Sequence, residues 1–311
     1  MPARGIRRPA ALARGYFALQ AAGGAAWWVA VFTVPFVREK TLGDLDPVIV
    51  AAFDIPLFVV ASALVVVLPV RSARWVAGLV AVWTLLVTVL LAMYATITTQ
   101  AGWGVVIMIA ASAGSIGAFV LLTLGRIPTE WLLVGPFAFR RAPSRPSALV
   151  HVVMTSGQIV VFWGLFLVVF PVVIAALEQR CMLSLPAPGG VRVAGVVVVV
   201  AASALGLWSA AALTTKGDGT PLPSAATNRL VIAGPYRLVR NPMAVAGIVQ
   251  GVGVGLILGS WMVVIYALAG SLVWNYAIRP HEEADLVAAF GDDYVAYQRA
   301  VRCWVPRLTT R

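Results

Sequence analysis

Long apolar stretches separated by short polar segments dominate the pattern of the chain. A helix needs roughly 20 apolar residues to cross a bilayer. Eight stretches approach this length: 16–37, 48–70, 75–96, 103–124, 151–177, 193–213, 243–258 and 261–278. The last two are short and are joined by Gly259-Ser260, which favours a helical hairpin. The pattern predicts an all-α integral membrane protein with about eight transmembrane helices.

Composition agrees with this prediction and restricts the partners. The chain is 61% hydrophobic and 11% charged, whereas soluble domains carry about a quarter charged residues. With the N-terminus in the cytoplasm, every basic residue would lie on the inner side except Arg38, Lys40, Arg180 and Arg192. This distribution explains the net charge of +11 by membrane topology and leaves no need for a nucleic acid partner. The Ala- and Val-rich, Arg-over-Lys composition favours the plasma membrane of a bacterium, with both termini cytoplasmic.

Polar groups divide the chain into three parts. Residues 1–125 form four predicted spans with few polar groups and no evident role. Residues 126–147 form a basic, proline-punctuated cytoplasmic loop, in which 129–139 could lie as an interfacial helix. Residues 148–311 carry nearly all the candidate chemistry, including the turn-rich segment 216–223, which fits no phosphate-binding motif.

Three polar side chains fall within or near the predicted spans. Asp54 precedes Pro56 in the second span and is either a proton relay or substrate contact, or a carboxylate that hydrogen-bonds a neighbouring helix. His151 and Gln158, near the start of the fifth span, either form hydrogen bonds at the interface or between helices, or line a pocket. Cys181 and Cys303 are predicted on opposite sides of the bilayer and cannot pair, and the two histidines and two cysteines lie too far apart in sequence for a metal site.

The segment 234–247 is the first candidate for the functional site. Pro242 suits the first turn of a helix, and Asn241 suits the N-cap before it. The helix start would offer free N–H groups and a positive dipole end to a carboxylate or phosphate. Arg237 and Arg240 lie three residues apart, so that one of them could face this site; the alternative is that they bind lipid head groups or anchor the topology.

The segment 279–306 is the second candidate, because it returns to the same membrane surface after the hairpin. Two adjacent glutamates, Glu282 and Glu283, suit a ligand with positive charge. The alternative is an ion-pair network with Arg237, Arg240 and Arg302.

Both segments together resemble the isoprenylcysteine carboxyl methyltransferase and phospholipid methyltransferase family of membrane enzymes. The resemblance is carried by Gly-Pro-Tyr-Arg-x-x-Arg-x-Pro from Gly234 and by Glu-Glu-x-x-Leu-x-x-x-Phe-Gly-x-x-Tyr-x-x-Tyr from Glu282, and it covers about 190–311. It implies a site for S-adenosylmethionine at the cytoplasmic ends of the C-terminal helices, and a lipophilic acceptor that enters from the bilayer. The acceptor would be an isoprenoid or prenylcysteine carboxylate or a phospholipid amine.

The resemblance also implies roles for individual residues. It places the cofactor at Tyr236, Arg237, Asn241, Pro242, Gly247, Glu282, Tyr294 and Arg302, and catalysis at Arg240 and Glu283. Asn241 and the helix start would hold the methionine carboxylate of the cofactor. Glu282 or Glu283 would hold its ammonium group or its ribose hydroxyls. Arg240 would orient an anionic acceptor.

Two positions depart from the family pattern. The family usually has His where this chain has Asn241, and an aromatic residue where it has Ala244. An amide donates and accepts hydrogen bonds but cannot serve as an imidazole base.

The alternative functions are an NADPH-dependent membrane reductase of the sterol reductase type and a non-enzymatic transporter or scaffold.

Overall fold

The structure, a computed structural model, describes residues 7–132, 153, 156–157, 160–186, 188–217 and 228–306. Within these ranges the regular structure is helical, without strands, which confirms the predicted all-α class. Of the basic loop 126–147 only the part up to residue 132 is described. His151, Gln158 and residues 218–223 lie outside the described ranges.

The chain divides into two compact units. One unit comprises Met1–Pro128 and Leu177–Leu183, and the other comprises Thr129–Ala176 and Ser184–Arg311. The expected division at 125 and 147 stays a prediction. Cys181 belongs to the first unit and Cys303 to the second, and both are buried free thiols.

The first unit is a bundle of helices that follow one another closely along the chain. They are α1 (Arg7–Thr33), α2 (Pro35–Leu42), α3 (Pro47–Asp54), α4 (Ala61–Val67), α5 (Val70–Thr98) and α6 (Gly102–Leu124). A π-helical turn, Ile55–Val60, joins α3 to α4 and contains Pro56, whose missing N–H interrupts the regular hydrogen-bond pattern. A core of apolar residues, among them Phe17, Val65 and Val80, holds α1, α4, α5 and α6 together.

The first predicted span, 16–37, is broken near its end. Val34 is extended (φ −122°, ψ 101°), and α2 begins at Pro35 with an angle of 113° to α1. A residue before proline is pushed out of the helical region, which explains the break. The predicted span 16–37 therefore contains two helices joined at Val34, a break that the apolar pattern did not indicate.

Small residues let the elements of the first unit approach closely. A Cβ atom added to Gly104 would lie 2.1 Å from the carbonyl oxygen of Thr41, and one added to Gly102 would lie 2.1 Å from that of Cys181. Gly117, further along the same helix, has no such neighbour within 4 Å. The start of α6 therefore depends on the absence of side chains at Gly102 and Gly104.

The second unit contains the remaining helices. They are α7 (Phe170–Arg180, shared with the first unit beyond Ala176), α8 (Gly189–Lys216), α9 (Pro242–Leu258), α10 (Trp261–Val273), α11 (Arg279–Phe290) and α12 (Asp292–Ala300). Gly259 in the left-handed region (φ 64°) ends α9, and Ser260 caps α10, so the expected tight turn is present. A π-helical turn, Trp274–Ile278, joins α10 directly to α11.

Helix α9 packs most extensively against α8 and also contacts α10. A Cβ atom added to Gly195 of α8 would lie 2.8 Å from the carbonyl oxygen of Gly253 in α9. Small residues permit such close helix contacts within a bilayer, where van der Waals packing contributes strongly to helix association. Nearer the start of α9, a Cβ on Gly206 of α8 would lie 3.5 Å from the Cβ of Ala246, and Asn241 directly precedes the helix.

Among the described residues, six helical segments are long and apolar enough to cross a membrane, and the bent pair of α1 and α2 raises this number to seven if it forms one span. Helix α9 is apolar but has 17 residues. The protein is therefore an integral membrane protein, whereas the count of eight spans and the cytoplasmic placement of both termini stay predictions.

The close contact at Gly104 yields a stability prediction. Gly104→Ala should destabilise the protein by about 1–3 kcal/mol, because the new methyl group meets backbone rather than a flexible side chain. Gly117→Ala on the same helix is the control and should be neutral or stabilise by about 0.5–1 kcal/mol through helix propensity. Denaturant unfolding in detergent micelles measures both, and equal effects of the two substitutions would contradict the packing.

Candidate active site

The segment from Gly234 to Arg240 reaches the site through a short turn. Gly234 has φ +55°, and a Cβ there would lie 3.1 Å from the indole nitrogen of Trp208. Glycine is therefore suited both to the backbone angle and to the space. Pro235 and Tyr236 in the following 3₁₀ turn are buried, whereas Arg237 is exposed.

Asn241 starts helix α9 and also contacts the second candidate segment. Its Oδ1 accepts a hydrogen bond from the N–H of Ala244 (3.0 Å), the usual geometry of an N-cap. Its Nδ2 donates to Oε2 of Glu282 (3.3 Å). The Asn241 amide therefore connects the start of α9 to the carboxylate of Glu282. Its Oδ1 accepts one hydrogen bond and its Nδ2 donates one.

Glu282 and Glu283 are adjacent on helix α11 and point to different partners. Successive residues on an α-helix are about 100° apart around the axis, so neighbours cannot share a direction. Glu282 contacts Asn241, whereas Oε1 of Glu283 accepts a hydrogen bond from Nη2 of Arg240 (2.7 Å). A second arginine, Arg279, lies 3.9 Å from the same oxygen.

Arg240 joins three segments that are distant in sequence. Besides Glu283, its Nη1 donates to the carbonyl oxygens of Gln298 and Val301, both at 3.0 Å. These carbonyls lie at the end of α12, where the last turn lacks intrahelical partners and a cation is favoured. The N–H of Arg240 also donates to the carbonyl oxygen of Arg302 (3.0 Å).

Two further contacts hold the chain after α11 against the site. The hydroxyl of Tyr297 donates to the carbonyl oxygen of Tyr236 (2.5 Å). The indole N–H of Trp304 donates to Oδ1 of Asn275 (2.8 Å), and the ring packs edge-on against Trp274. The C-terminal segment up to residue 304 is thus part of the site.

The phenols and the thiol of this region keep their protons at neutral pH. Burial, together with the nearby Glu282 carboxylate, raises the pKa of Tyr236 well above its usual value. Burial and the Glu283 carboxylate raise the pKa of Tyr294. Burial also raises the pKa of Cys303, although Arg279 and Arg240 act in the opposite direction. None of these three groups is therefore a base at neutral pH.

The structure brings some of the predicted site residues together and separates others. Arg240, Asn241, Glu282 and Glu283 form one contact cluster, and Tyr236 and Tyr294 are buried beside it. Pro242 is the buried first residue of α9. The side chains of Arg237 and Arg302 are exposed, and a Cβ on Gly247 would have no neighbour within 4 Å.

Sequence reasoning missed the roles of Gln298 and Tyr297. Gln298 contributes its carbonyl oxygen to Arg240 and donates from Nε2 to Oε2 of Glu283 (3.4 Å). Tyr294, Tyr297 and Gln298 are three and four residues apart, a spacing that places them on one face of a helix. That spacing was visible in the sequence, but it does not reveal which helix face is buried.

The fold and this cluster define a helical membrane protein with a charged site next to its C-terminal apolar helices. Residues 191–293 match the model of the phospholipid methyltransferase family. The match confirms the resemblance for this part of the chain, and it contains Arg240, Asn241, Glu282 and Glu283. It supports a membrane methyltransferase in general. A search of curated proteins finds no match to the chain.

The contacts of Arg240 yield a prediction for the C-terminal segment. Arg240→Ala should loosen residues 294–303 by about 2–4 kcal/mol, because Glu283 and two carbonyl groups lose their cation while they remain half-buried. Amide hydrogen exchange of this segment should accelerate on the order of 30-fold or more. Arg237→Ala is the control, since this neighbouring arginine is exposed. Unchanged exchange in Arg240→Ala would show that the ion pair does not hold the segment.

Proposed function

We propose that the C-terminal unit is an S-adenosylmethionine-dependent methyltransferase that acts on a lipophilic acceptor. The observation that carries this proposal is the contact between Asn241 and Glu282, which places a carboxylate beside the start of helix α9. A helix start attracts an anionic group, and a carboxylate attracts a cationic one. The two together suit a small zwitterion, such as the amino acid part of S-adenosylmethionine.

The hydrogen-bonding groups at the start of α9 fit this ligand. Pro242 has no N–H, and the N–H groups of Ala244 and Val245 are bound by the side chain and the carbonyl oxygen of Asn241. Within the described residues, Met243 therefore provides the first-turn N–H that is left for a ligand carboxylate. Glu282 is half-buried and retains acceptor capacity, because each carboxylate oxygen has two lone pairs.

We divide the cluster into binding and positioning groups. Asn241 and Glu282 bind the methyl donor. Arg240 and Glu283 are positioning residues, because the Nη donors of Arg240 already bind protein acceptors. This assignment modifies the sequence-based hypothesis, in which Arg240 orients the acceptor and either glutamate holds the donor.

The bound donor supplies a methyl group on a sulfonium: the sulfur–carbon bond breaks, its electron pair stays on sulfur, and a lone pair of the acceptor forms the new bond to carbon. The protein residues then position the two molecules and exclude water. A carboxylate acceptor needs no base for this step, whereas an amine or hydroxyl must lose a proton.

The environment of the cluster favours an acceptor that carries no proton to lose. Asn241 is not a base, and Tyr236, Tyr294 and Cys303 are protonated at neutral pH. Of the two carboxylates, Glu283 is paired with Arg240, and Glu282, whose pKa burial raises to about 7, is assigned to the ammonium group of the donor. A lipophilic carboxylate, such as that of a prenylated cysteine or another isoprenoid acid, is therefore the acceptor that the site supports best.

Binding of the product S-adenosylhomocysteine tests the role of Glu282. Glu282→Gln should weaken this binding by about 10- to 100-fold, since it removes the negative charge that would bind the ammonium group of the ligand. Asp285→Asn is the matched control, because Asp285 is exposed on the same helix. Calorimetric titration of the purified protein gives both affinities, with NADPH as a parallel titrant. Binding of NADPH without binding of S-adenosylhomocysteine would replace this proposal with the reductase alternative.

Incubation with radiolabelled S-adenosylmethionine and a total lipid extract tests the acceptor. We expect label in the organic phase that mild alkali releases as methanol, because a methyl ester is the product of a carboxylate acceptor. Label that resists alkali and remains on an amine head group would contradict the carboxylate assignment while supporting methyl transfer. Absence of transferred label would contradict the methyltransferase itself.

A further inference from the structure

The first unit contains a cavity of about 710 Å³ that the proposed reaction does not use. It is lined by α1, α5, α6 and the segment from Thr41 to Phe58. Aliphatic and aromatic side chains, among them Leu19, Phe53 and Leu90, form most of its surface. Along α1 it extends from Tyr16 to Trp27, which corresponds to about 16 Å. Its volume is typical of ligand sites, which measure about 300–1,000 Å³.

One buried carboxylate faces this apolar space. Asp54 lines the cavity and is only 6% exposed. Its Oδ2 accepts a hydrogen bond from the indole of Trp28 (2.9 Å), and its Oδ1 accepts one from the indole of Trp83 (3.0 Å). Both donors are neutral, and each carboxylate oxygen has a second lone pair. Asp54 can therefore accept a further hydrogen bond from a ligand in the cavity.

Two other buried polar side chains among the described residues line the cavity, Gln20 and Thr41, and both already have partners. Oγ1 of Thr41 donates to the carbonyl oxygen of Val37 (2.7 Å) and accepts a hydrogen bond from the indole of Trp27 (3.2 Å). Oε1 of Gln20 accepts hydrogen bonds from Tyr16 (2.5 Å) and Ser115 (2.9 Å), and its Nε2 donates to Ser62 (3.0 Å). This network closes one part of the wall. It leaves Asp54 as the better candidate to bind a polar head group.

We propose that this cavity binds one extended apolar chain whose hydroxyl or ammonium head donates a hydrogen bond to Asp54. The elongated apolar wall suits an acyl or isoprenoid chain. Leu19 and Phe53 of this wall are exposed on the surface of apolar helices, so a chain can enter from the bilayer. An ionisable residue within a membrane span is costly and usually marks a functional site. The proposal is independent of methyl transfer, because the cavity lies within residues 16–111, outside the segment 191–293.

Photoreactive diazirine derivatives of hexadecanol, hexadecylamine and hexadecane test this site in the detergent-solubilised full chain. We expect the alcohol or the amine to label peptides of α1 and α5, with excess unlabelled compound removing the label. The comparison between them distinguishes a hydroxyl from an ammonium head. Hexadecane, which lacks a donor, should label these peptides several-fold less. If the hexadecane derivative labelled these peptides as strongly as the alcohol and the amine do, the proposed role of Asp54 would be overturned.

Two substitutions on one helix provide the matched variants. Gly23 lines the cavity, and a Cβ there would have no neighbour within 4 Å, so Gly23→Phe should fill the site without a clash. Gly15 on the same helix also has open space but does not line the cavity. Gly23→Phe should reduce labelling at least fivefold, and Gly15→Phe should leave it unchanged. Equal labelling of the two variants would overturn the proposal.

Asp54→Asn tests the head group separately from the chain. It should reduce the labelling by the alcohol or amine about tenfold or more, the effect of one lost charge-assisted hydrogen bond. Thermal unfolding of each variant verifies that the fold is intact. Should Asp54→Asn fail to fold, the Gly23 and Gly15 pair decides the question alone. Unchanged labelling in a folded Asp54→Asn protein would contradict the contact with the head group.

Discussion

The ion pair between Arg240 and Glu283 is the interaction on which the C-terminal site depends. The arginine lies just before α9, its carboxylate partner lies on α11, and its two carbonyl acceptors lie at the end of α12. One guanidinium thus satisfies groups that the chain would otherwise bury without partners. A planar cation with several donors can do this, whereas a lysine could not reach the same acceptors with one ammonium group.

This arrangement explains why two adjacent glutamates serve different purposes. Because neighbours on a helix diverge by about 100°, fixing Glu283 on Arg240 also fixes the direction of Glu282 towards Asn241. The rotation of α11 is therefore set by an interaction that does not itself require a ligand. Under the proposed function, the binding carboxylate is held in place before the donor arrives, which reduces the cost of ordering it on binding.

Much of the architecture could be predicted from the sequence, because the length of an apolar run directly reflects the thickness of the bilayer. The contact between Arg240 and Glu283 was also foreseeable, since a hairpin returns the chain to the surface that it left. Three features could not be predicted in this way: the break at Val34, the π-helical turns, and the different directions in which Glu282 and Glu283 point. They depend on the rotation and bending of helices, which the hydrophobic pattern leaves open. The sequence likewise left two interpretations of Asp54, and only coordinates reveal its contacts with Trp28 and Trp83.

The two units stabilise buried carboxylates in different ways, and the difference bears on their roles. Glu283 is balanced by the guanidinium of Arg240, so its charge is compensated within the protein. Among the described residues, the hydrogen-bond donors to Asp54 are two indoles, which orient the carboxylate without neutralising it. The charge of Asp54 at the wall of the apolar cavity is therefore not compensated by these donors. Under the proposed binding, a ligand with a hydroxyl or ammonium head group would stabilise this carboxylate. Because such a ligand binds only the folded state, occupancy of the cavity would then raise the stability of the first unit.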